Sequence, residues 1–302
     1  MRKKMALTGI TLLCLLAGAQ SKVVAPPRED IVEFPFYFYE GRFIIIKASL
    51  GNAPAENFIF DTGCDATIAI DYKYAEEIKL KPEKNSSFEM RGVESDLPSE
   101  FAITDISFKE TNPLRSLTLR RVKGVISDYT KNFGREFREK VKIKGLIGVG
   151  ALFAKKVVLI NYNTQTIRIG DDIDKFHYPG MLEIKMNSRR GSGLLSVKAA
   201  VNIEPESTYV IDTGAYCSGF PRPTKGDVDF GKLKPDDFQH FKTLTIGENT
   251  FTSSKALLLV PIRFEFGLIG ADVLSEMSEK KIIILDYKAK KLYVPYPVLV
   301  KN

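Results

Sequence analysis

The sequence predicts an all-β protein, mainly strands with a few short helices, that is built from two similar halves. Short β-branched and aromatic runs alternate with turn signals such as Gly51-Asn52 and Gly247-Glu248-Asn249. The triplet Asp-Thr-Gly occurs twice, each time directly after an apolar run. Two further landmarks follow each triplet in the same order, which is the signature of an internal duplication.

Each half contains the triplet, then a Gly-Leu-Ile-Gly run, then a Lys-Lys segment that predicts two strands around a short turn. The corresponding positions are Asp61 and Asp212, Gly145 and Gly267, and Lys155–Ile169 and Lys280–Val294. The last pair of segments aligns without a gap. Three landmarks in one order are hard to explain except by two related halves.

The few predicted helices are Tyr72–Leu80, Phe133–Val141 and a turn after each Gly-Leu-Ile-Gly. A polar stretch with turn residues separates the halves, so we expect an N-terminal lobe at 36–172, a linker at 173–180 and a C-terminal lobe at 181–302. The first half is longer between its landmarks, which leaves room for a hairpin around Arg91–Glu94.

The N-terminus predicts export. Three basic residues at positions 2–4 precede the apolar run Met5–Leu16 and the sequence Ala17-Gly18-Ala19, which is typical of a cleaved signal. We expect a signal peptide at 1–19, an extension at 20–35, a periplasmic or secreted location and no membrane span after cleavage. An uncleaved anchor is the alternative. Lipid attachment at Cys14 is disfavoured, since no small residue stands at the bond to be cut.

Composition excludes several other classes. Removing residues 1–19 lowers the formal charge from +7 to +4, and no dense basic run with aromatics occurs, so nucleic acid is not an expected partner. Only His177 and His240 are present, too few for a histidine-based metal site or a Ser-His-Asp triad. Cys64 and Cys217 stand at different offsets from their acids, which favours free thiols over a disulfide.

Two acids at equivalent places in two related halves would face each other across a pseudo-twofold axis. Close carboxylates cannot both ionise, so Asp61 and Asp212 would share one proton and supply a base and an acid together. Such a pair can activate water against an amide without a metal or other cofactor. Thr62 and Thr213 can each bond to the opposite loop. Gly63 and Gly214 allow a tight turn and close backbone approach.

These motifs resemble the pepsin and retropepsin superfamily of aspartic proteases, over about Arg42–Val294. The resemblance implies a two-lobed acid-protease barrel fold with a shared sheet, and a bacterial-type, exported, monomeric endopeptidase. It implies catalysis by Asp61 and Asp212, supported by Thr62, Gly63, Thr213 and Gly214. The polypeptide substrate would bind in the cleft as an added strand, mainly through main-chain hydrogen bonds.

The resemblance also implies a flap, which we place at about 88–95, with Arg91, Gly92 and Val93 contacting substrate. The flap lacks the tyrosine of pepsins, as it does in retropepsins. Asp65 matches the second acid of the retropepsin motif, which binds substrate backbone; a loop-capping or salt-bridged acid is the alternative. The residues after the two glycines, Cys64 and Ala215, replace the usual serine or threonine.

A second class of function stays open at this point. The same cleft could hold peptides without cutting them, as a catalytically inactive binding module. A third interpretation makes the two acids purely structural. Retention of both acids, both threonines and both glycines favours the protease.

Overall fold

The computed structural model describes residues 31–91, 96–110, 116–128, 139–188, 193–202, 205–215, 218–221, 239–262 and 265–300. Strands dominate these residues and the helices are short, so the all-β prediction is confirmed. The strands are β1 (Val32–Tyr39), β2 (Phe43–Leu50), β3 (Glu56–Asp61), β4 (Ile68–Asp71), β5 (Phe88–Arg91), β6 (Asp96–Lys109), β7 (Ser116–Ser127), β8 (Ile143–Gly148), β9 (Val157–Asn161), β10 (Thr166–Gly170), β11 (Met181–Lys185), β12 (Asn187–Ser188), β13 (Leu195–Val201), β14 (Ser207–Asp212), β15 (Gly219–Pro221), β16 (Gln239–Ile246), β17 (Asn249–Ile262), β18 (Gly267–Gly270), β19 (Ile282–Asp286) and β20 (Lys291–Pro295).

The described helices each span one or two turns. They are α1 (Tyr72–Glu77), α2 (Val149–Leu152), α3 (Ala271–Leu274) and a 3₁₀ helix at Ile173–Phe176. The predicted turns after each Gly-Leu-Ile-Gly are therefore confirmed as α2 and α3. Of the predicted helix Phe133–Val141, positions 139–141 are helical and 133–138 lie outside the described residues. Within the described ranges, no helix has the length and apolar character needed to cross a bilayer.

Helix α1 is shorter than the predicted Tyr72–Leu80. Its start is fixed by Asp71, whose carboxylate accepts hydrogen bonds from the amides of Lys73 and Tyr74. It ends because Lys79 takes a left-handed conformation with φ of 56°. The amide of Leu80 then donates to the carbonyl of Ala75, which closes the helix end.

Each half forms a closed barrel of six strands. In the first half the order is β2-β3-β8-β4-β7-β6, and pairing of β6 with β2 closes the ring. In the second half the order is β13-β14-β18-β15-β17-β16, and pairing of β16 with β13 closes it. The two rings use corresponding strands in the same order, so the predicted internal duplication is a property of the fold.

A further sheet joins the halves in the order β11-β20-β19-β9-β10-β1. Its centre is the antiparallel pairing of β9 with β19, the two Lys-Lys segments of the repeat. Leu159 pairs there with Ile284, the residue that the repeat aligns with Leu159 itself. An approximate twofold axis therefore passes through this pair and relates the two barrels.

Strand β1 begins at Val32, within the predicted N-terminal extension of 20–35. Its Phe34 is 2% exposed and packs against the rings of Phe60 and Phe108, which holds this segment in the core. Pro35 lies where β1 changes partner, from β10 up to Pro35 to β2 from Phe36 onward. A proline is tolerated at such a junction because the chain leaves one ladder there.

The predicted hairpin of the first half is present in its backbone. Strand β5 pairs antiparallel with the beginning of β6, and Arg91 is the partner of Asp96. The tip, residues 92–95, lies outside the described residues. Between the halves, the 3₁₀ helix and the turn at Gly180 occupy the predicted linker 173–180.

Candidate active site

Asp61 and Asp212 are the last residues of β3 and β14. Each strand runs parallel to the Gly-Leu-Ile-Gly strand of its own half, so that Asp61 pairs with Gly148 and Asp212 with Gly270. The residues before the acids are buried apolar side chains, which carry each acid into the interior. Both acids are only 7% exposed, as expected for equivalent positions in a duplicated fold.

The two threonines bind the loops to each other in a reciprocal arrangement. The Thr62 hydroxyl donates to the Ile211 carbonyl at 2.7 Å and accepts from the Thr213 amide at 2.9 Å. The Thr213 hydroxyl donates to the Phe60 carbonyl at 2.6 Å and accepts from the Thr62 amide at 3.2 Å. The cross-bonding predicted from the sequence is confirmed, and it fixes the two acid-bearing loops relative to one another.

The two glycines let the carboxyl groups approach. A Cβ atom on Gly63 would lie 2.3 Å from the Asp212 Cγ, and one on Gly214 would lie 2.3 Å from the Asp61 Cγ. Neither position accepts a side chain unless the opposite acid moves. The Gly63 amide also donates to the Asp61 Oδ1 at 2.7 Å, and the Gly214 amide to the Asp212 Oδ1 at 2.9 Å.

The carboxyl groups of Asp61 and Asp212 lie on facing sides of the two loops, each against the glycine of the opposite triplet. Burial, followed by the charge of Asp212, raises the pKa of Asp61 well above its usual range. Burial also raises the pKa of Asp212, against hydrogen bonds from Asp61 and from the amides of Gly214 and Ala215 that lower it. Because both pKa values are raised, the pair keeps a proton at a higher pH than two isolated aspartates would.

The positions after the glycines contribute amides to the acids. The Cys64 amide lowers the pKa of Asp61, and the Ala215 amide lowers that of Asp212. Cys64 carries a free, partly buried thiol. Burial and then the charge of Asp61 raise the pKa of this thiol well above its usual range, so it is neutral beside the pair. Cys217 lies outside the described residues.

Of the other predicted site residues, the structure describes Asp65 and Arg91. Asp65 is exposed on the loop after Asp61, and its charge adds to the rise in the pKa of Cys64. Arg91 ends strand β5, whereas Gly92 and Val93 lie outside the described residues. His177 is exposed, as expected.

Three polar residues near the acids were not predicted: Ser218 and Tyr287, which are buried, and Asp272, which is partly buried. Ser218 and Asp272 bond to each other on the Asp212 side, and Tyr287 lies close enough for the charge of Asp61 to raise its pKa. The repeat offered a signal for Ser218, because it aligns with Thr67, another hydroxyl. It offered none for Asp272, which aligns with Gly150.

Comparison of the chain with known protein families found no match, and a search of curated proteins found none either. Among the described residues, no group of three or more His, Cys, Asp or Glu side chains is placed to hold a metal ion.

Proposed function

We propose that the chain is an aspartic endopeptidase of the pepsin and retropepsin superfamily, with Asp61 and Asp212 as its catalytic pair. One observation carries the proposal: two buried carboxyl groups from equivalent strand ends face each other, each lying where a side chain on the glycine of the opposite triplet would stand. Burying two acids together is unfavourable, and their raised pKa values express that penalty. Perturbed acids held in one place by a dedicated scaffold are typical of catalytic sites.

The pair supplies a base and an acid for the first step. The ionised carboxylate removes a proton from a water molecule, and the water oxygen bonds to the amide carbon of the substrate. The protonated carboxyl group gives its proton to the carbonyl oxygen, which forms a tetrahedral diol. The proton has moved from one acid to the other, so the pair keeps a single proton.

The second step reverses the roles. The acid that took the proton from water gives it to the amide nitrogen, and the carbon–nitrogen bond breaks. The other acid takes a proton from one hydroxyl of the diol as the new carboxyl group forms. Products are one amine and one carboxylic acid, and the pair returns to its initial state. Neither step forms a covalent bond between substrate and enzyme.

Substrate binding is proposed on the first-half hairpin. Strands β5 and β6 carry the segment assigned to the flap; Arg91 ends β5, and Gly92 and Val93 follow it in the sequence. An extended peptide would lie beneath it as an added strand. Asp65 follows the acid loop and is exposed, a position from which a carboxylate can accept a hydrogen bond from a peptide amide.

Export and a monomeric enzyme belong to the same proposal. The basic and apolar segment at 1–19 is the basis for export to the periplasm or the exterior. Since a single chain supplies both acids, catalysis requires no second copy.

The test is cleavage of a mixed peptide library by a chain that begins at Gln20. Asp61→Asn and Asp212→Asn should each lower kcat/KM by at least about 1,000-fold, because one carboxyl group cannot perform both roles. Asp71→Asn is the matched control: Asp71 is also 7% exposed, but it caps α1, where asparagine serves equally well. This control should retain activity. A statine-type inhibitor should block the wild type.

Two results would overturn the proposal. One is near wild-type turnover in either catalytic variant. The other is a folded wild type that binds library peptides but cleaves none between pH 3 and pH 8, a result that would favour the binding module.

A further inference from the structure

Asp272 forms a partly buried polar contact with the loop region of Asp212. It lies in the first turn of α3, and its carboxylate accepts a hydrogen bond from the Ser218 hydroxyl at 3.0 Å. The same hydroxyl accepts a hydrogen bond from the Gly270 amide at 2.8 Å. Gly270 is the strand partner of Asp212. One hydroxyl and one amide thus connect Asp272 to the backbone that carries a catalytic acid.

A basic residue of the other half lies near this contact. The charge of Arg42 lowers the pKa of Asp272, although burial has the larger effect and raises it. Arg42 stands between β1 and β2, and its amide donates to the Tyr39 carbonyl at 3.0 Å, which holds the turn in place. Arg42 belongs to the first half, so its charge acts on Asp272 across the approximate twofold axis.

On the other side of the approximate twofold axis, the residues that correspond to Arg42 and Asp272 are both uncharged. Ile45 pairs with Ile59 in one barrel and Ser196 with Val210 in the other, so that Arg42 corresponds to Gly193. Asp272 corresponds to Gly150, two residues after its Gly-Leu-Ile-Gly run. Gly150 and Gly193 do touch: a Cβ atom on Gly150 would lie 2.0 Å from the Gly193 carbonyl oxygen. Equivalent elements of the two halves thus meet on both sides of the axis.

We propose that Arg42, Asp272 and Ser218 form an interlobe link that positions the Asp212 loop against the Asp61 loop. They act as positioning residues, since none touches the reacting atoms. The kinetic consequence rests on the proposed peptidase function, whereas the link between the halves does not. Small displacements of one acid matter, because catalysis requires reacting groups to be held within a fraction of an ångström.

The kinetic arm uses three variants of the full chain. Ser218→Ala removes the hydroxyl and should lower kcat about 10-fold with KM nearly unchanged, since substrate binding sites stay in place. Ser218→Thr keeps the hydroxyl, as Thr67 does at the corresponding position, and should restore at least half of kcat. Glu183→Gln breaks the 2.7 Å surface pair with Lys291 and serves as the control with unchanged kcat.

The stability arm is independent of any activity. Arg42→Met, Asp272→Asn and the double variant are compared in urea unfolding, with Arg42→Lys as a milder change. If the link exists, the effects on the unfolding equilibrium constant should depart from additivity by about 10-fold. The same cycle on Lys291→Met and Glu183→Gln should be additive within about twofold.

Each outcome decides one of the two claims. Additive effects of the Arg42 and Asp272 changes would overturn the link. Equal losses of kcat in Ser218→Ala and Ser218→Thr would overturn the positioning role of the Ser218 hydroxyl. If Asp272→Asn does not fold, non-additivity is measured with Arg42→Lys and Ser218→Ala instead. A wild type that cleaves nothing would overturn the peptidase proposal. The link would then be tested by the urea-unfolding measurements alone.

Discussion

The two halves agree closely around the acids and differ a short distance away. The triplets are identical, both acids are 7% exposed, and the threonine bonds are reciprocal. Two residues beyond each Gly-Leu-Ile-Gly run, one half has Asp272 and the other has Gly150. Under the proposed mechanism the two acids exchange roles within one cycle, which requires matching surroundings on both sides. The contact between the lobes can carry charges on one side of the axis only, because the proposed Arg42–Asp272 link and the Gly150–Gly193 contact hold the same interface.

The largest predicted effect tests the symmetry at the centre. Thr62→Val and Thr213→Val should each lower the free energy of unfolding by about 2–4 kcal/mol, because each leaves a buried amide and a buried carbonyl unpaired. The two losses should agree within about 1 kcal/mol. Thr62→Ser and Thr213→Ser keep the hydroxyl and serve as controls. Urea unfolding measures all four, and a loss confined to one half would show that the centre is not energetically symmetric.

The second prediction concerns stability and pH. The folded-state pKa values of Asp61 and Asp212 are raised above an unfolded value of about 3.9. The folded state therefore binds protons more tightly, and this contribution to stability is complete below about pH 3.9. It is lost as pH rises through the raised folded values. Asp61→Asn removes the shared charge, so its unfolding free energy at pH 7 should exceed that of the wild type.

The measurement is urea unfolding of both proteins at intervals between pH 3 and pH 8. The difference between Asp61→Asn and wild type should grow as pH rises. Asp71→Asn provides the comparison at an equally buried acid outside the pair. Parallel curves for wild type and Asp61→Asn would contradict the raised pKa values of the pair.

Much of the fold and the positions of Asp61 and Asp212 could be predicted, because aligning the two halves of the sequence shows which residues are equivalent. Aligning the triplets places both acids at strand ends, and aligning Lys155 with Lys280 predicts a hairpin in each half. The cross-bonding of Thr62 and Thr213 followed from the same symmetry. Each of these features is one that both halves share, so comparing the sequence with itself reveals it. The shared sheet in which the two hairpins pair was implied by the resemblance alone.

The features that could not be predicted are those in which the halves differ. Arg42 and Asp272 each align with a glycine, so a search for residues that the two halves share does not identify them. Strand β1 begins at Val32, inside the segment assigned to the N-terminal extension, and Pro35 interrupts its strand pattern. In the second half the segment that corresponds to β1 is divided into two strands, β11 and β12, which lie on either side of Met186. Long-range partner exchange of this kind leaves no local signal.

The smallest predicted effect concerns the residue after each Asp-Thr-Gly triplet, which is Cys64 in one half and Ala215 in the other. A serine or threonine after the glycine would donate a hydrogen bond to the ionised acid and lower its pKa. Here the donors to the acids from these positions are the amides of Cys64 and Ala215. A thiol is a weak donor and a methyl group is none. We therefore expect an activity optimum at roughly pH 5 to 7, above that of acid-acting pepsins.

The test adds the missing hydroxyls. Cys64→Ser combined with Ala215→Thr should move the acidic limb of the kcat/KM profile down by about one pH unit, since a hydrogen bond to a charged group contributes about 1.5–3 kcal/mol and one pKa unit is about 1.36 kcal/mol. The single variants should each give part of this shift. Cys64→Ala is the control that removes the thiol without adding a donor, and its profile should follow the wild type. An optimum near pH 3 in the wild type, or an unmoved profile in the double variant, would show that these two positions do not set the pKa values of the pair.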